Sequence, residues 1–129
     1  MKTARNPDSI HPPLAAYSHQ IEISGAERQL VMSGQVGMTA DGHVPDDPIE
    51  QLGVALDNVE RNLEAAGMGI GDLVRLTMYL VGDWDANARR QMIASRLGAH
   101  HPCTTLLFVA GLAAPNLRVE LDAWASADA

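Results

Sequence analysis

The feature that most constrains the fold is a helical segment that is apolar on one side only. From Pro48 to Ala66 the large apolar residues recur every three or four positions, so they share one face of an α-helix: Ile49, Leu52, Leu56, Val59 and Leu63. Asp46 or Asp47 can cap the start of this helix, and Gly67 can end it. A helix with a single apolar stripe buries it against another layer, so the segment predicts a domain in which the helix packs on a sheet.

Strand patterns flank this helix on both sides. Residues 20–24 and 28–38 predict two strands that form a hairpin, preceded by an irregular lead-in over residues 1–16. Further strands are predicted at 72–82, 103–112 and 117–125, and a second one-sided helix at 83–98. The order ββαβαββ, with both helices on one face of a mixed sheet, predicts a single α+β domain over residues 1–129.

The other face of this sheet needs a cover that the two helices do not supply. The stretch CTTLLFV, residues 103–109, is apolar at almost every position, which is typical of a strand buried on both faces. We therefore expect a second copy of the same chain to cover this face, which predicts a homo-oligomer.

Charge and cysteine content narrow the class of protein. Nine basic and 16 acidic residues give a net charge of −7, which argues against a nucleic-acid partner. Cys103 is the only cysteine, so an internal disulfide and a multi-cysteine zinc site are excluded. No segment has the length and hydropathy of a signal peptide or a membrane span. These features predict a cytoplasmic protein with no membrane partner.

Two residues invite a functional interpretation. Glu120 lies in the alternating stretch 117–125, either as a solvated charge on the wet side of a strand or as a carboxylate that acts on a ligand. Tyr17, in a Pro-rich loop, either packs against a sheet edge or closes a pocket with its hydroxyl toward a ligand. Of the five histidines only His100 and His101 are close in sequence, and neighbours on an extended segment point apart, so no metal site is predicted.

Several motifs, in order along the chain, resemble the Rid family, the YjgF-like reactive-intermediate deaminases that are also labelled L-PSP endoribonucleases. The matching stretches, from about Tyr17 to Ala125, are AAYSH, VMSGQVG, DGHVPDDPIEQLGVALDNVERNLEAAG, GDLVRLTMYL, DANA, HPCTTLLFVAGL and RVELDAWA. The most specific pieces are SGQ at residues 33–35, the helix LDNVERNLEAAG, and VELDA in the place of the family's V-E-I-E-A. Together these pieces predict membership of the family.

The resemblance implies a chorismate-mutase-like fold and a homotrimer whose sheets face inward, with three ligand clefts between subunits. It implies hydrolysis of small imines or enamines to 2-oxo acids and ammonia, with no cofactor or metal. In the deaminases of this family an arginine in P-A-R-S holds the substrate carboxylate, a glutamate in V-E-I-E-A positions or activates water, and a tyrosine near the N-terminus closes the cleft.

Position by position, the resemblance assigns the glutamate to Glu120 and the tyrosine to Tyr17, with Ser33 and Gly34 in the cleft wall. The arginine is absent, because the chain has PCTT with Thr104 in its place. Threonine offers one hydroxyl and no charge, so it cannot form the bidentate pair that a guanidinium makes with a carboxylate. Arg118 and Arg75 are the nearest substitutes by strand order, and Arg118 is expected to share a strand face with Glu120.

Three functional hypotheses follow. The first is a Rid-like hydrolase that acts on a small imine, enamine or related amino metabolite, with canonical 2-imino acid activity in doubt because of Thr104; a 2-aminomuconate-type deaminase belongs to this class. The second is a non-catalytic trimer that binds a small metabolite in the same cleft. The third, an RNA-directed endoribonuclease or translation inhibitor, rests on the family labels alone and is disfavoured by the net charge of −7.

Overall fold

The computed structural model describes residues 1–129 and contains seven strands and two helices. In chain order these are β1 (Lys2–Arg5), β2 (Gln20–Ile23), β3 (Glu27–Val31), β4 (Gln35–Val36), α1 (Pro48–Ala65), β5 (Leu73–Leu80), α2 (Ala86–Leu97), β6 (Cys103–Phe108) and β7 (Val119–Asp128). A short 3-10 turn at Ile70–Asp72 leads into β5. Neither helix is long and apolar enough to cross a membrane.

The main sheet is mixed and carries both helices on one face, which confirms the predicted α+β architecture. Its strand order is β3-β7-β5-β6, and β4 extends the β3 side of β7. The β5 and β6 strands run parallel, as the crossover through α2 requires, while β7 is antiparallel to all its neighbours. The long central strand β7 therefore contacts nearly every part of the sheet.

The core lies between α1 and the sheet, and it is almost entirely aliphatic. Alternate residues of β7 are fully covered, namely Val119, Leu121, Ala123 and Ala125. The α1 stripe packs over them with Leu52, Val59 and Leu63, each at 0% exposure. Since successive strand side chains point to opposite faces, the other residues of β7 lie on the far side of the sheet.

The predicted ends of α1 are confirmed. The Asp47 side chain accepts a hydrogen bond from the backbone N–H of Glu50 at 3.1 Å, so Asp47 and not Asp46 is the N-cap. Beyond the last turn Gly67 adopts φ +70°, a left-handed conformation that glycine tolerates best. In α2, Asp85 plays the same capping role, so this helix begins three residues later than the sequence pattern predicts.

The predicted hairpin between residues 20–24 and 28–38 is wrong. The β2 strand pairs with β1, Lys2 lying opposite Ile23, whereas β3 pairs with β7. The lead-in over residues 1–16 is accordingly not irregular throughout. The β1 sequence KTAR has no apolar alternation to reveal it, and its pairing is supported by polar contacts of Arg5 with Gln20 and Glu22.

Candidate active site

The sheet face opposite the helices, called the open face below, carries most of the polar side chains of the strands. Register across the strands assigns to it, among others, Val31, Val36, Arg75, Thr77, Tyr79, Cys103, Thr105, Leu107, Glu120, Asp122 and Trp124. No helix of the chain covers this face, so a ligand or another protein surface can reach it.

Glu120 lies on the open face against the backbone of Gly34. A Cβ atom at position 34 would lie 2.6 Å from Cδ and 2.9 Å from Cγ of Glu120, closer than real Cβ contacts allow. Position 34 therefore has to be glycine for the carboxylate to lie where it does. Glu120 is half-buried and takes part in none of the chain's salt bridges.

Beside Glu120, the structure brings in a residue that sequence reasoning missed. The Tyr79 hydroxyl donates a hydrogen bond to Oδ2 of Asp122 at 2.9 Å. This hydrogen bond raises the pKa of Tyr79, and burial and the negative charges of Asp122 and Glu120 add to the effect. Tyr79 thus keeps its proton at neutral pH. The alternation of β5 would have placed Tyr79 on this face once β5 was aligned with β7.

Tyr17 lies beside the start of β6, far from Glu120 in the sheet. The next residue, Ser18, holds the loop there, because its hydroxyl donates to the carbonyl of His101 at 2.8 Å and its N–H donates to Pro102. The Tyr17 hydroxyl accepts from the Leu14 N–H at 3.1 Å, so the ring is positioned by its own loop. Tyr17 therefore belongs to the same end of the sheet as the β6 residue Thr104.

Within one chain, Thr104 and Glu120 do not meet. Thr104 is level with Leu76, a buried core residue, so its side chain is on the helix-covered side of β6. Glu120 is level with Tyr79 on the open face. Two strand spacings and three residues of rise separate the two positions by about 14 Å. A cleft that used both residues would have to form between copies of the chain.

The structure gives Arg118 a different environment from the one expected. Its Nε donates to the carbonyl of Val81 and its Nη2 to that of Asp83, both at 2.8 Å. The guanidinium lies over Gly82, where a Cβ would be 2.8 Å from Nη2. Arg118 thus clamps the β5–α2 loop. A neighbour of the site, Ser33, is exposed in the β3–β4 turn, and its carbonyl accepts from the Gln35 side chain.

Other candidate chemistry is not supported. Burial raises the pKa of the Cys103 thiol, which favours its protonated form at neutral pH. No group of three His, Cys, Asp or Glu side chains lies close enough to hold a metal ion. The accessible carboxylate of Glu120 is therefore the main chemical feature of the open face.

Comparison with known proteins shows which family this chain resembles. The profile of the family described as Endoribonuclease L-PSP matches residues 8–127. The chain is 31% identical over 98 residues to the 2-iminobutanoate/2-iminopropanoate deaminase of Escherichia coli strain K12, covering 73% of this chain and 76% of the relative. It is also 31% identical over 125 residues to the goat (Capra hircus) protein of the same name, covering 95% and 85%.

The fold is also found among solved structures. YyfB from Yersinia pestis, described as a protein of unknown function of the conserved Rid protein family, superposes with a TM-score of 0.83 at 32% identity, covering 96% of this chain and 97% of that one. Rv2704 of Mycobacterium tuberculosis, from the YjgF/YER057c/UK114 family, has a TM-score of 0.67 at 27% identity, covering 97% and 98%. The two helices, the mixed sheet and the family profile together show that this chain belongs to the Rid (YjgF-like) family and has its chorismate-mutase-like fold.

Proposed function

We propose that this protein is a hydrolase of small imines or enamines, with Glu120 as the catalytic residue. The position of Glu120 carries the proposal: its carboxylate lies on an accessible sheet face, against a glycine, with no cation paired to it. An unpaired carboxylate retains its capacity to accept a proton. The names of the E. coli and goat relatives, both 2-iminobutanoate/2-iminopropanoate deaminases, support this class of reaction.

In the proposed reaction Glu120 acts first as a base and then as an acid. The oxygen of a water molecule attacks the imine carbon while Glu120 accepts a proton from that water. Glu120 returns this proton to the nitrogen, which gives a neutral carbinolamine. The hydroxyl proton of the carbinolamine then passes through Glu120 to the nitrogen as the C–N bond breaks, so the carbonyl forms and ammonia leaves. No metal or cofactor is required. General-base assistance of this kind typically contributes about 10²–10⁴ in rate.

We further propose that the protein acts as a homotrimer with its ligand clefts between subunits. Three large apolar side chains are exposed on the open face, Val31 at 58%, Leu107 at 41% and Trp124 at 45%. Such a patch favours association with other copies of the chain. The assembly would bring Tyr17 and Thr104 of one copy toward Glu120 of another, whereas a single chain keeps them apart.

Substitution of Glu120→Gln tests the proposed reaction. The amide keeps the shape of the side chain but cannot accept the proton, so kcat for ammonia release should fall by about 10²–10⁴. Ammonia would be measured from freshly generated 2-aminoacrylate, its imine, and enamines without a carboxylate. Glu64→Gln, an exposed position on α1, is the matched control and should leave the rate unchanged. An unaltered rate in Glu120→Gln would return Glu120 to a solvated charge on a strand.

A non-catalytic metabolite-binding trimer is the second candidate, and the loss of the arginine at Thr104 favours it. Without a cation, carboxylate binding would lose about 1.5–3 kcal/mol, which weakens affinity roughly tenfold to more than a hundredfold. A binder would show changed ligand affinity in Glu120→Gln and no turnover in the unsubstituted protein.

A further inference from the structure

Neither the position of the family's arginine nor Arg118 supplies a cation to the proposed site. Thr104 is uncharged, and the Arg118 guanidinium donates hydrogen bonds to two backbone carbonyls. Arg75 is the one cationic side chain on the open face. We propose that Arg75 of one copy completes the Glu120 site of a neighbouring copy by holding the carboxylate of the substrate. This inference rests on the proposed function and on the association of copies through the open face.

A β-bulge places Arg75 on the same face as Glu120. Leu73 lies opposite Ala125, but Arg75 lies opposite Trp124, so two steps along β5 match a single step along β7. In a regular ladder Arg75 would lie opposite Ala123 and point into the core. The extra residue reverses this orientation, and bulges commonly re-aim side chains next to active sites.

The Arg75 guanidinium is available for a ligand. It is exposed, and its Nη2 donates one hydrogen bond, to Oγ1 of Thr105 at 2.6 Å. A guanidinium has five N–H donors arranged to match a carboxylate. Thr105 follows Thr104 directly but points to the opposite face of β6. This hydrogen bond therefore holds the guanidinium on the open face, level with the part of β6 that contains Thr104.

Within one chain the Arg75 guanidinium is too far from Glu120 for both to contact one small substrate, so a shared site requires a second copy. Thr105, Thr77 and Asp122 lie opposite one another across β6, β5 and β7. Beyond β7 the same row continues to Gly34, the residue just before β4. The guanidinium is at one end of this row, by Thr105, and the Glu120 carboxylate is at the other, by Gly34. Three strand spacings amount to about 14 Å, which is longer than a three- or four-carbon imino acid.

The first test is Arg75→Met in the full-length protein. Loss of a charge-assisted contact should raise KM for 2-iminopropanoate roughly tenfold to more than a hundredfold, with kcat reduced much less. Arg75→Lys keeps the positive charge but loses the bidentate hydrogen-bonding geometry, so its KM should lie between those of the unsubstituted protein and Arg75→Met. Arg61→Met, an exposed arginine on α1, is the control. An unchanged KM in Arg75→Met overturns the proposal. A tenfold or greater gain in kcat/KM from Thr104→Arg also overturns it, because the binding position for the substrate carboxylate would then be vacant in the unsubstituted protein.

Binding separates this proposal from the proposed hydrolysis. If the unsubstituted protein turns over no imine, calorimetric titration with 2-oxobutanoate still reports on Arg75. Weaker binding by roughly tenfold or more in Arg75→Met supports the carboxylate contact even without catalysis. Equal binding by the two proteins overturns it.

Mixed assemblies test whether two copies share the site. Arg75→Met and Glu120→Gln chains would be unfolded together and refolded as mixtures. If each cleft takes Arg75 from one copy and Glu120 from the next, about a quarter of the clefts are intact in rings mixed at random from equal amounts of the two chains, and activity returns to that level. Activity no higher than the average of the two variants overturns the shared arrangement.

Discussion

At the scale of single residues, the site depends on a contact between a carboxylate and a backbone. Glu120 occupies the space that a side chain at position 34 would fill. The VELDA and SGQ motifs are 86 residues apart by their Glu120 and Gly34 positions, and the pairing of β4 with β7 brings them together. A glycine in a strand pattern commonly marks such a close approach.

Gly34→Ala should therefore displace Glu120 rather than unfold the protein. A misplacement of about 1 Å can reduce catalysis on the order of a hundredfold, so we expect a loss of kcat of about that size. The control is Gly71→Ala, where an added Cβ would meet no atom within 4 Å. Ammonia release and a thermal melt would be measured for both variants. Full activity in Gly34→Ala would show that the contact with Glu120 is unimportant for the reaction.

At the scale of elements, α1 holds the central strand through its apolar stripe and through buried polar contacts. Gln51, 1% exposed, donates to the carbonyls of Pro45 and Asn116 and accepts from the backbone N–H of Arg118. Asn58 donates to the carbonyls of Val36, the last residue of β4, and of Met38 just beyond it. The helix therefore holds both segments that border Glu120, namely the start of β7 and the end of β4.

Asp47→Ala should reduce the free energy of unfolding by about 0.5–2 kcal/mol, since it leaves a helix N–H without its side-chain acceptor. Asp46→Ala is the matched control, because this neighbouring exposed carboxylate does not cap the helix. Urea unfolding followed by circular dichroism measures both. Equal loss of stability in the two variants would contradict the assignment of Asp47 as the cap.

At the scale of the whole molecule, the proposed site would be completed by contacts across the open face. One copy carries Glu120 and Gly34 at one side of the sheet, and Arg75, Tyr17 and Thr104 toward the other. If copies assemble through the open face, these separate groups meet across an interface. Assembly and activity would then be lost together.

Trp124→Asp should disrupt this assembly, because it places a charge in the middle of the proposed interface. Light scattering should give three times the 13.8 kDa chain mass for the unsubstituted protein and a lower mass for the variant. Ile10→Asp is the control, since Ile10 is similarly exposed, at 44% against 45%, and lies outside the open face. A monomeric unsubstituted protein at micromolar concentration would contradict the trimer.

The sequence by itself determined both helices, the central strand β7 and the faces that α1 and β7 bury, because the spacing of apolar residues is a local property. The one-sided stripe of α1, a cap at Asp46 or Asp47 with Gly67 at the other end, and the alternation of β7 all follow from neighbours a few residues apart. The family resemblance is carried in the same way by short motifs, and it is confirmed by the matching profile over residues 8–127.

Only the tertiary structure decided which strands pair, in what register, and which arginine is available. The pairing of β2 with β1, the bulge before Arg75 and the clamp formed by Arg118 all depend on contacts between distant residues. A period of two shows which residues of one strand share a face, but a single extra residue reverses that face, and nothing in LVRL marks where the extra residue lies. The local pattern is set by side-chain direction along the chain, whereas the site is set by register between strands, which is fixed only when the sheet forms.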